Sequence, residues 1–344
     1  MITLPVLDST SPLPADSSGE VGMYDRYGRT IRYLRLSLTN ACPMRCTYCR
    51  PDGALLAHKG DMMTAGEIAA TVDHLVEEHG LRKVRLTGGE PTSRNDFVSI
   101  VRRLAGIDDL YELSMTTNAL TLARHARTLA DAGLSRVNIS LDSLRRDRFR
   151  RITGIDGLHL VMAGIDAALD AELTPVKVNT VVVRGQNDDE LVDLVRFAID
   201  RQVEIRFIEL MPMGPLASSW SDRYVPAAEM KDRLGELGLT WNAVPTGNDA
   251  ARRYRATLPD GQQVNIGFIT AMSCPFCDAC DRIRIAADGS FYPCLMDRPA
   301  GSLLSALRPV IDFDELDYQI ERGLLRKAAE HPATGTVTMT DIGG

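Results

Sequence analysis

RYLRLSLTNACPMRCTYC, residues 32–49, sets a strand with one polar and one apolar face against a loop that holds three cysteines. Tyr33, Arg35 and Ser37 alternate with Leu34, Leu36 and Leu38, the period-2 pattern of a strand that buries one face. Cys42, Cys46 and Cys49 follow at once, with no fourth thiol nearby and no histidine before His58, which lacks ligand spacing. A structural zinc ion wants four ligands, whereas a cubic iron–sulfur cluster held by three thiolates keeps one iron open for a ligand. A zinc ion completed from the second cysteine group is the plainer alternative for this group.

Outward from that stretch the strand pattern recurs five times, near 82–87, 111–117, 135–141, 176–183 and 203–210. Helical patterns near 64–79, 95–106, 121–132, 157–171 and 188–201 separate them. Every strand again has a polar face: Lys83, Arg85 and Thr87; Glu112, Ser114 and Thr116; Asn138 and Ser140; Lys177 and Asn179; Glu204 and Arg206. Repeated βα units predict a parallel sheet with right-handed crossovers. Parallel strands are normally apolar on both faces. Six polar faces therefore predict an α/β fold in the form of an incomplete six-stranded (β/α)6 TIM-like barrel whose lumen holds a charged ligand. A solvent-facing open sheet is the alternative.

The domain reading is a flexible N-terminal extension over 1–22, the partial barrel over 23–212, and a C-terminal α+β domain over 213–344 that closes the barrel. In that last part the patterns predict a helix near 226–237, strands near 252–258, 263–269 and 281–287, an Asp288-Gly289 hairpin turn and a helix near 312–329.

A net charge of −7 over 344 residues argues against general nucleic-acid affinity, so any anion site must be a local basic pocket. No run of about 18 apolar residues appears, and a cytoplasmic protein without nucleic-acid or membrane partners is expected. Seven cysteines form an odd number in two tight groups, which points to metal ligation in a reducing compartment rather than to a disulfide framework. The second group is Cys274, Cys277 and Cys280, then Cys294. Its spacing also fits a four-thiol zinc ribbon. Arg282 and Arg284, two residues apart on one strand face beside these thiols, suit an anionic ligand better. The six histidines are scattered without ligand spacing.

CxxxCxxC with Tyr48 before its last cysteine, at the end of a first barrel strand, resembles the signature of the radical S-adenosylmethionine (SAM) enzymes. The segment Thr87-Gly88-Gly89-Glu90-Pro91 is similar to their GGEP segment. With RLSLTNACPMRCTYCRPDG, TTNA, VNISLDSL, VKVNTVVV, IRFIELMPMG, CDACDRIRI and the terminal IGG, the chain resembles the GTP 3′,8-cyclase family of molybdenum cofactor biosynthesis from about Arg32 to its end. The resemblance implies two [4Fe–4S] clusters, one held by Cys42, Cys46 and Cys49 and binding SAM, the other held by Cys277, Cys280 and Cys294 and contacting the guanine of GTP. It implies SAM contacts at Tyr48, Gly89, Ser140 and Met211, and GTP contacts at Arg35, Arg85, Thr116, Lys177, Arg282, Ile283 and Arg284. Gly343 and Gly344 match a tail that reaches into the pocket.

The implied reaction begins when a 5′-deoxyadenosyl radical from SAM takes the C3′ hydrogen of GTP, and the ribose then closes onto C8 of guanine. The implied partners are GTP, a reductant such as flavodoxin, a cyclic pyranopterin monophosphate synthase that takes the product, and a second copy of the chain in a homodimer. A peptide-modifying radical SAM maturase with an auxiliary cluster is the alternative within the superfamily. Three residues depart from the family pattern: Arg50 replaces an apolar residue, Ala119 a glycine and Asp281 an asparagine. Cys274 is an extra thiol that makes a four-thiol second site conceivable.

Overall fold

The computed structural model describes residues 22–50, 61–245, 247–335 and 339–342. The expected extension before Gly22, His58, and the tail glycines Gly343 and Gly344 lie outside the described residues.

A short antiparallel pair, β1 (Met23–Tyr24) and β2 (Thr30–Ile31), leads into six strands: β3 (Tyr33–Ser37), β4 (Lys83–Thr87), β5 (Glu112–Thr117), β6 (Arg136–Ser140), β7 (Lys177–Val182) and β8 (Glu204–Glu209). They pair in sequence order, all parallel, as the repeat predicts. The crossovers carry α1 (Ala65–Glu77), α2 (Phe97–Ala105), α3 (Leu122–Asp131), α4 (Arg146–Thr153), α5 (Leu158–Asp170) and α6 (Leu191–Arg201). Thr64 caps α1 in a capping box: its hydroxyl accepts from Glu67 N at 3.2 Å and its own N–H donates to Glu67 at 2.6 Å. The apolar strand positions Leu34, Leu36, Val84, Leu86, Met115, Val137, Ile139, Val178, Ile205 and Phe207 are buried in one core with the helices. Their polar alternates face the other way, which is why the pattern split so cleanly.

The segment after β8 carries the remaining strands and helices of the fold. It runs through α7 (Trp220–Arg223), α8 (Ala227–Arg233), β9 (Thr240–Val244), β10 (Arg252–Thr257), β11 (Gln263–Ile269), β12 (Arg282–Ile285), β13 (Ser290–Tyr292), β14 (Gly301–Ser302), α9 (Leu304–Leu307) and α10 (Phe313–Leu324). β12 adds to β3 and β11 adds to β8, both parallel, and antiparallel strands extend each side, giving one sheet in the order β14-β13-β12-β3-β4-β5-β6-β7-β8-β11-β10-β9. The C-terminal segment thus occupies both edges of the barrel sheet, and unpaired edges are what a partial barrel must cover. No single helix among the described residues is long and apolar enough to cross a membrane.

Several elements escaped the sequence patterns: the short β1, β2, α7, α9 and β14, and two longer ones. Helix α4, RDRFRRIT, is eight residues long and half arginine, so its apolar stripe is only Phe149 and Ile152. Strand β9 is largely exposed and offers little alternation to read.

Candidate active site

A cavity opens on the polar face of the sheet, and both cysteine triplets line it. Cys42, Cys46 and Cys49 lie past the end of β3. Cys277 and Cys280 precede β12, whose first residue pairs with Tyr33 at the start of β3, so the second group approaches from the other end of the strand. All seven cysteines are free thiols.

The first loop is held by backbone contacts. Gly89 N donates to Thr39 O at 2.6 Å and Glu90 N to Ala41 O at 2.8 Å. A Cβ on Gly89 would stand 2.4 Å from Ala41 O and 2.7 Å from Asn40 O, both main-chain atoms. The glycine pair therefore does more than expose backbone toward a ligand: it lets the strand end lie flat against the cysteine loop. On the loop's other side Arg45 N and Thr47 N donate to Thr153 O and Ile152 O at the C-terminus of α4, satisfying carbonyls the helix cannot use itself. The buried Arg50 donates to Cys42 O at 2.9 Å, and Asn118 Nδ2 lies 3.7 Å from Cys42 Sγ. Tyr48 donates its hydroxyl to Asp142 at 2.6 Å. Burial pushes Asp142 up to about 6.

The second loop has different supports. Glu209, at the end of β8, accepts from Ala227 N, Met272 N and Ser273 N, each at 2.9 Å, which fixes the approach to Cys277. The ammonium of Lys327, buried at the cavity wall, donates to Arg282 O at 2.8 Å and to Pro293 O, joining β12 to the turn that carries Cys294.

The thiols differ in charge environment, within the second group too, where burial raises Cys277. Burial, with Asp142 close by, pushes Cys46 well above the ordinary thiol range, and burial with Glu90 raises Cys42. Burial acts upward on Cys280 too, but Lys327 and Arg282 outweigh it and hold this thiol low. Among the described residues no three cysteine sulfurs lie within 4.8 Å of one another. A tetrahedral zinc–thiolate site has sulfur–sulfur edges of about 3.8 Å, from Zn–S bonds of about 2.3 Å. Three soft thiols in each group, with no fourth protein ligand beside the first among the described residues, suit a cubic cluster that keeps one iron open.

Between the triplets stands an arginine row. Arg284 on β12, Arg35 on β3 and Arg85 on β4 sit side by side in register. Burial, followed by the Arg284 charge, pushes Arg35 well down; burial lowers Arg85, and it holds Arg284 down to about 10. Arg282 is packed between the rings of Tyr33 and Phe276, with its carbon 5.5 and 5.0 Å from their centroids. Like charges on neighbouring strands repel, so such a row is built for an anion rather than for stability. Arg35 Nε, Arg282 Nη1, Thr116 Oγ1, Asn138 Nδ2 and Asn179 Oδ1 are buried, line this cavity and have no partner within the protein. Each such atom costs about 1–3 kcal/mol unless a ligand satisfies it.

Of the other residues singled out in the sequence, Tyr48, Gly89, Ser140, Met211, Arg85, Thr116 and Arg284 line the cavity. Lys177 and Ile283 do not. Lys177 is buried at the start of β7, in register with Asn138 and Glu204, where burial and the nearby Arg206 push it down to about 8. Ile283 alternates with the two arginines and points into the apolar core. Glu204 and Asp249 flank Arg206 at 2.5 and 2.9 Å, which makes this cavity arginine an internally neutralised one. Asp249 lies in a connection without motif or periodicity, and Lys327 follows the last helix like any surface lysine in sequence, so neither carried a sequence signal.

The departures also find places. Ala119 has φ 60, the left-handed conformation, where a glycine avoids a cost of about 1–2 kcal/mol. Asp281 O accepts from Arg32 N and Tyr33 N, so this position serves the β12–β3 junction through its backbone. Cys274 is exposed, is not part of the cavity wall, and has Arg252 Nη2 2.6 Å from its sulfur. Cys274→Ala is expected to leave the iron content of the reconstituted protein unchanged. A loss of iron would place this thiol among the ligands.

Comparison with known proteins accords with this geometry. Residues 36–198 match the model of the radical SAM superfamily and residues 203–333 that of Molybdenum Cofactor Synthesis C. The GTP 3′,8-cyclase of Moorella thermoacetica is 43% identical over 312 residues, covering 90% of this chain and 95% of the relative. That of Pelotomaculum thermopropionicum is 42% identical with the same coverage, and that of Listeria monocytogenes 42% identical over 275 residues, covering 79% and 81%. Among solved structures, Streptococcus suis SuiB bound to S-adenosylmethionine aligns over 89% of this chain and 72% of its own, with a TM-score of 0.54 at 13% identity. Native anSMEcpe with bound AdoMet aligns over 84% and 81%, with a TM-score of 0.51 at 14% identity; both are likenesses of fold. From the cysteine-bearing barrel strand to the arginine row, and by identity over most of its length, the chain belongs to the GTP 3′,8-cyclase family of the radical SAM superfamily.

Proposed function

We propose that this protein converts GTP to (8S)-3′,8-cyclo-7,8-dihydroguanosine 5′-triphosphate, with cleavage of SAM to 5′-deoxyadenosine and methionine, as the first step of molybdenum cofactor biosynthesis. The observation that carries this reading is one cavity shared by two three-thiol groups and the row Arg284–Arg35–Arg85. Cys42, Cys46 and Cys49 would hold the first [4Fe–4S] cluster, and Cys277, Cys280 and Cys294 the second. Soft thiols in groups of three fit such clusters. When bound, the first cluster and SAM supply the one-electron, hydrogen-abstracting chemistry.

The chain's own contribution is binding and orientation. Arg35, Arg85, Arg282 and Arg284 hold the triphosphate, aided by Thr116; Lys177 adds charge from beneath the wall and Ile283 only backbone. Tyr48, Gly89, Ser140 and Met211, at strand ends on the first-cluster side, contact SAM. Asp142 fixes the Tyr48 hydroxyl. The supports at both loops keep the two ligands in one relative position, which lowers the entropic part of a barrier.

A cytoplasmic location, flavodoxin or a similar reductant, and transfer of the product to a cyclic pyranopterin monophosphate synthase complete the proposal. A peptide-modifying role would need an extended groove, whereas the wall here concentrates unsatisfied cationic and amide groups. Anaerobic reconstitution with iron and sulfide is expected to give about eight irons per chain and SAM cleavage that depends on GTP. Cys277→Ala should retain about four irons and lose product formation. Cleavage indifferent to GTP in the wild type would overturn the assignment.

A further inference from the structure

Helix α1, which follows the first cysteine loop in the chain, is tied to the C-terminal segment at both ends. At its start Arg308 Nε lies 2.6 Å from Glu67 Oε1, and Arg308 Nη1 lies 3.2 Å from Asp61. At its other end Nε2 of His74 and Nε2 of His79 each lie 2.7 Å from the same atom, Oδ1 of Asp317 on α10. The three ligand atoms all fall within 4.8 Å of one another. The ring of His74 is stacked on Phe313, with centroids 4.3 Å apart and planes at 15°, and His79 meets His74 edge-on at 5.5 Å. The histidines are therefore aimed by packing, not only by their hydrogen bonds. Their side chains are 11% and 16% exposed and that of Asp317 is 29% exposed, which leaves one side of the group open to water. None of the three belongs to the cavity wall.

We propose that His74, His79 and Asp317 form a zinc site on the outer face of the barrel that clips α1 to α10. Two imidazole nitrogens and one carboxylate oxygen are a donor set zinc accepts, with water as the fourth ligand. Bonds of about 2.0–2.1 Å imply ligand–ligand edges of about 3.3 Å, so the two histidines need only draw back slightly from Asp317. The packed face of His74 limits how it can turn, the kind of support that holds a ligand in place. Such a clip has a purpose in this fold. α1 continues the chain from the first thiol loop, and α10 leads to Lys327 and His331 in the cavity wall. Metal at this position fixes the two halves against each other and, because it binds only the folded arrangement, raises stability.

The test uses the protein with both clusters loaded, in the Cys274→Ala background so that the exposed thiol cannot capture metal. It is equilibrated anaerobically with micromolar free zinc, passed through a desalting column and counted for zinc and iron. The expected result is one zinc per chain beyond the iron, with a zinc-dependent rise in thermal midpoint. Asp317→Asn and His79→Gln each remove a direct ligand and should weaken zinc binding by more than the roughly 10- to 100-fold typical of outer-shell changes, read against a chromophoric chelator. Both should abolish the zinc-dependent midpoint shift while keeping iron content and GTP-dependent SAM cleavage. A parent protein that takes up no zinc, or a variant that binds zinc as well as the parent, overturns the proposal.

Discussion

Gly89→Ala should empty the first cluster site and spare the second: iron falls from about eight to about four per chain, SAM cleavage drops to background, and GTP still binds. The reason is contact, not backbone conformation. The added Cβ would stand 2.4 Å from Ala41 O and 2.6 Å from Ala41 C, where ordinary contacts begin at about 3.5 Å. Main-chain atoms cannot rotate away as the end of a side chain can. The segment Thr39–Ala41 must retreat by about 1 Å, pulling apart the bonds Gly89 N to Thr39 O and Glu90 N to Ala41 O, and Cys42 is the next residue. A displacement of that size is enough to spoil a site that must place its ligands accurately. The second triplet is supported by Glu209 and Lys327, which the change does not touch. Iron counting with electron paramagnetic resonance of the reduced protein is the measurement, and a wild-type iron content with both cluster signals would refute the argument.

Arg284→Met should move binding and stability in opposite directions. Arg284 faces Arg35 across the β12–β3 pairing, and Arg35 faces Arg85 across β3–β4. Losing a charge-assisted hydrogen bond to a phosphate costs about 1.5–3 kcal/mol, so GTP affinity should fall by about 10- to 150-fold. Without GTP the variant should melt at or above the wild-type temperature, because the methionine keeps most of the side-chain volume and removes the second-largest influence depressing Arg35. Calorimetric titration with GTP under anaerobic conditions and thermal melts with and without the nucleotide read the two effects separately. Unchanged affinity would remove Arg284 from the phosphate site; a lower melting point with weakened binding would show a structural arginine instead.

Much of this site is local in sequence. The alternation of Tyr33, Arg35 and Ser37 with three leucines announces a strand with one polar face, because successive side chains point to opposite sides whatever the strand pairs with. The repetition of that pattern six times, with helices between, limits the topology to a parallel sheet. The count of three thiols at CxxxCxxC is likewise readable without coordinates, since ligand number follows from spacing along a short loop. Helix α4 was not readable: its charged sequence lacks a broad apolar stripe, and its role is to offer its last carbonyls to Arg45 and Thr47, far away in the chain.

By itself, then, the sequence determined the parallel strands, the polar face and the two thiol groups, all of which rest on periodicity and short-range spacing. Only the tertiary structure decided which of the polar residues meet. It set β12 beside β3 so that Arg284 joins Arg35, left Cys274 outside the cavity wall, turned Ile283 into the core, and neutralised Arg206 with Asp249. It also brought Asp317 onto His74 and His79 across more than 230 residues. Such contacts depend on which strand docks at which open edge, a choice governed by packing among distant elements that leaves no periodic trace in either partner.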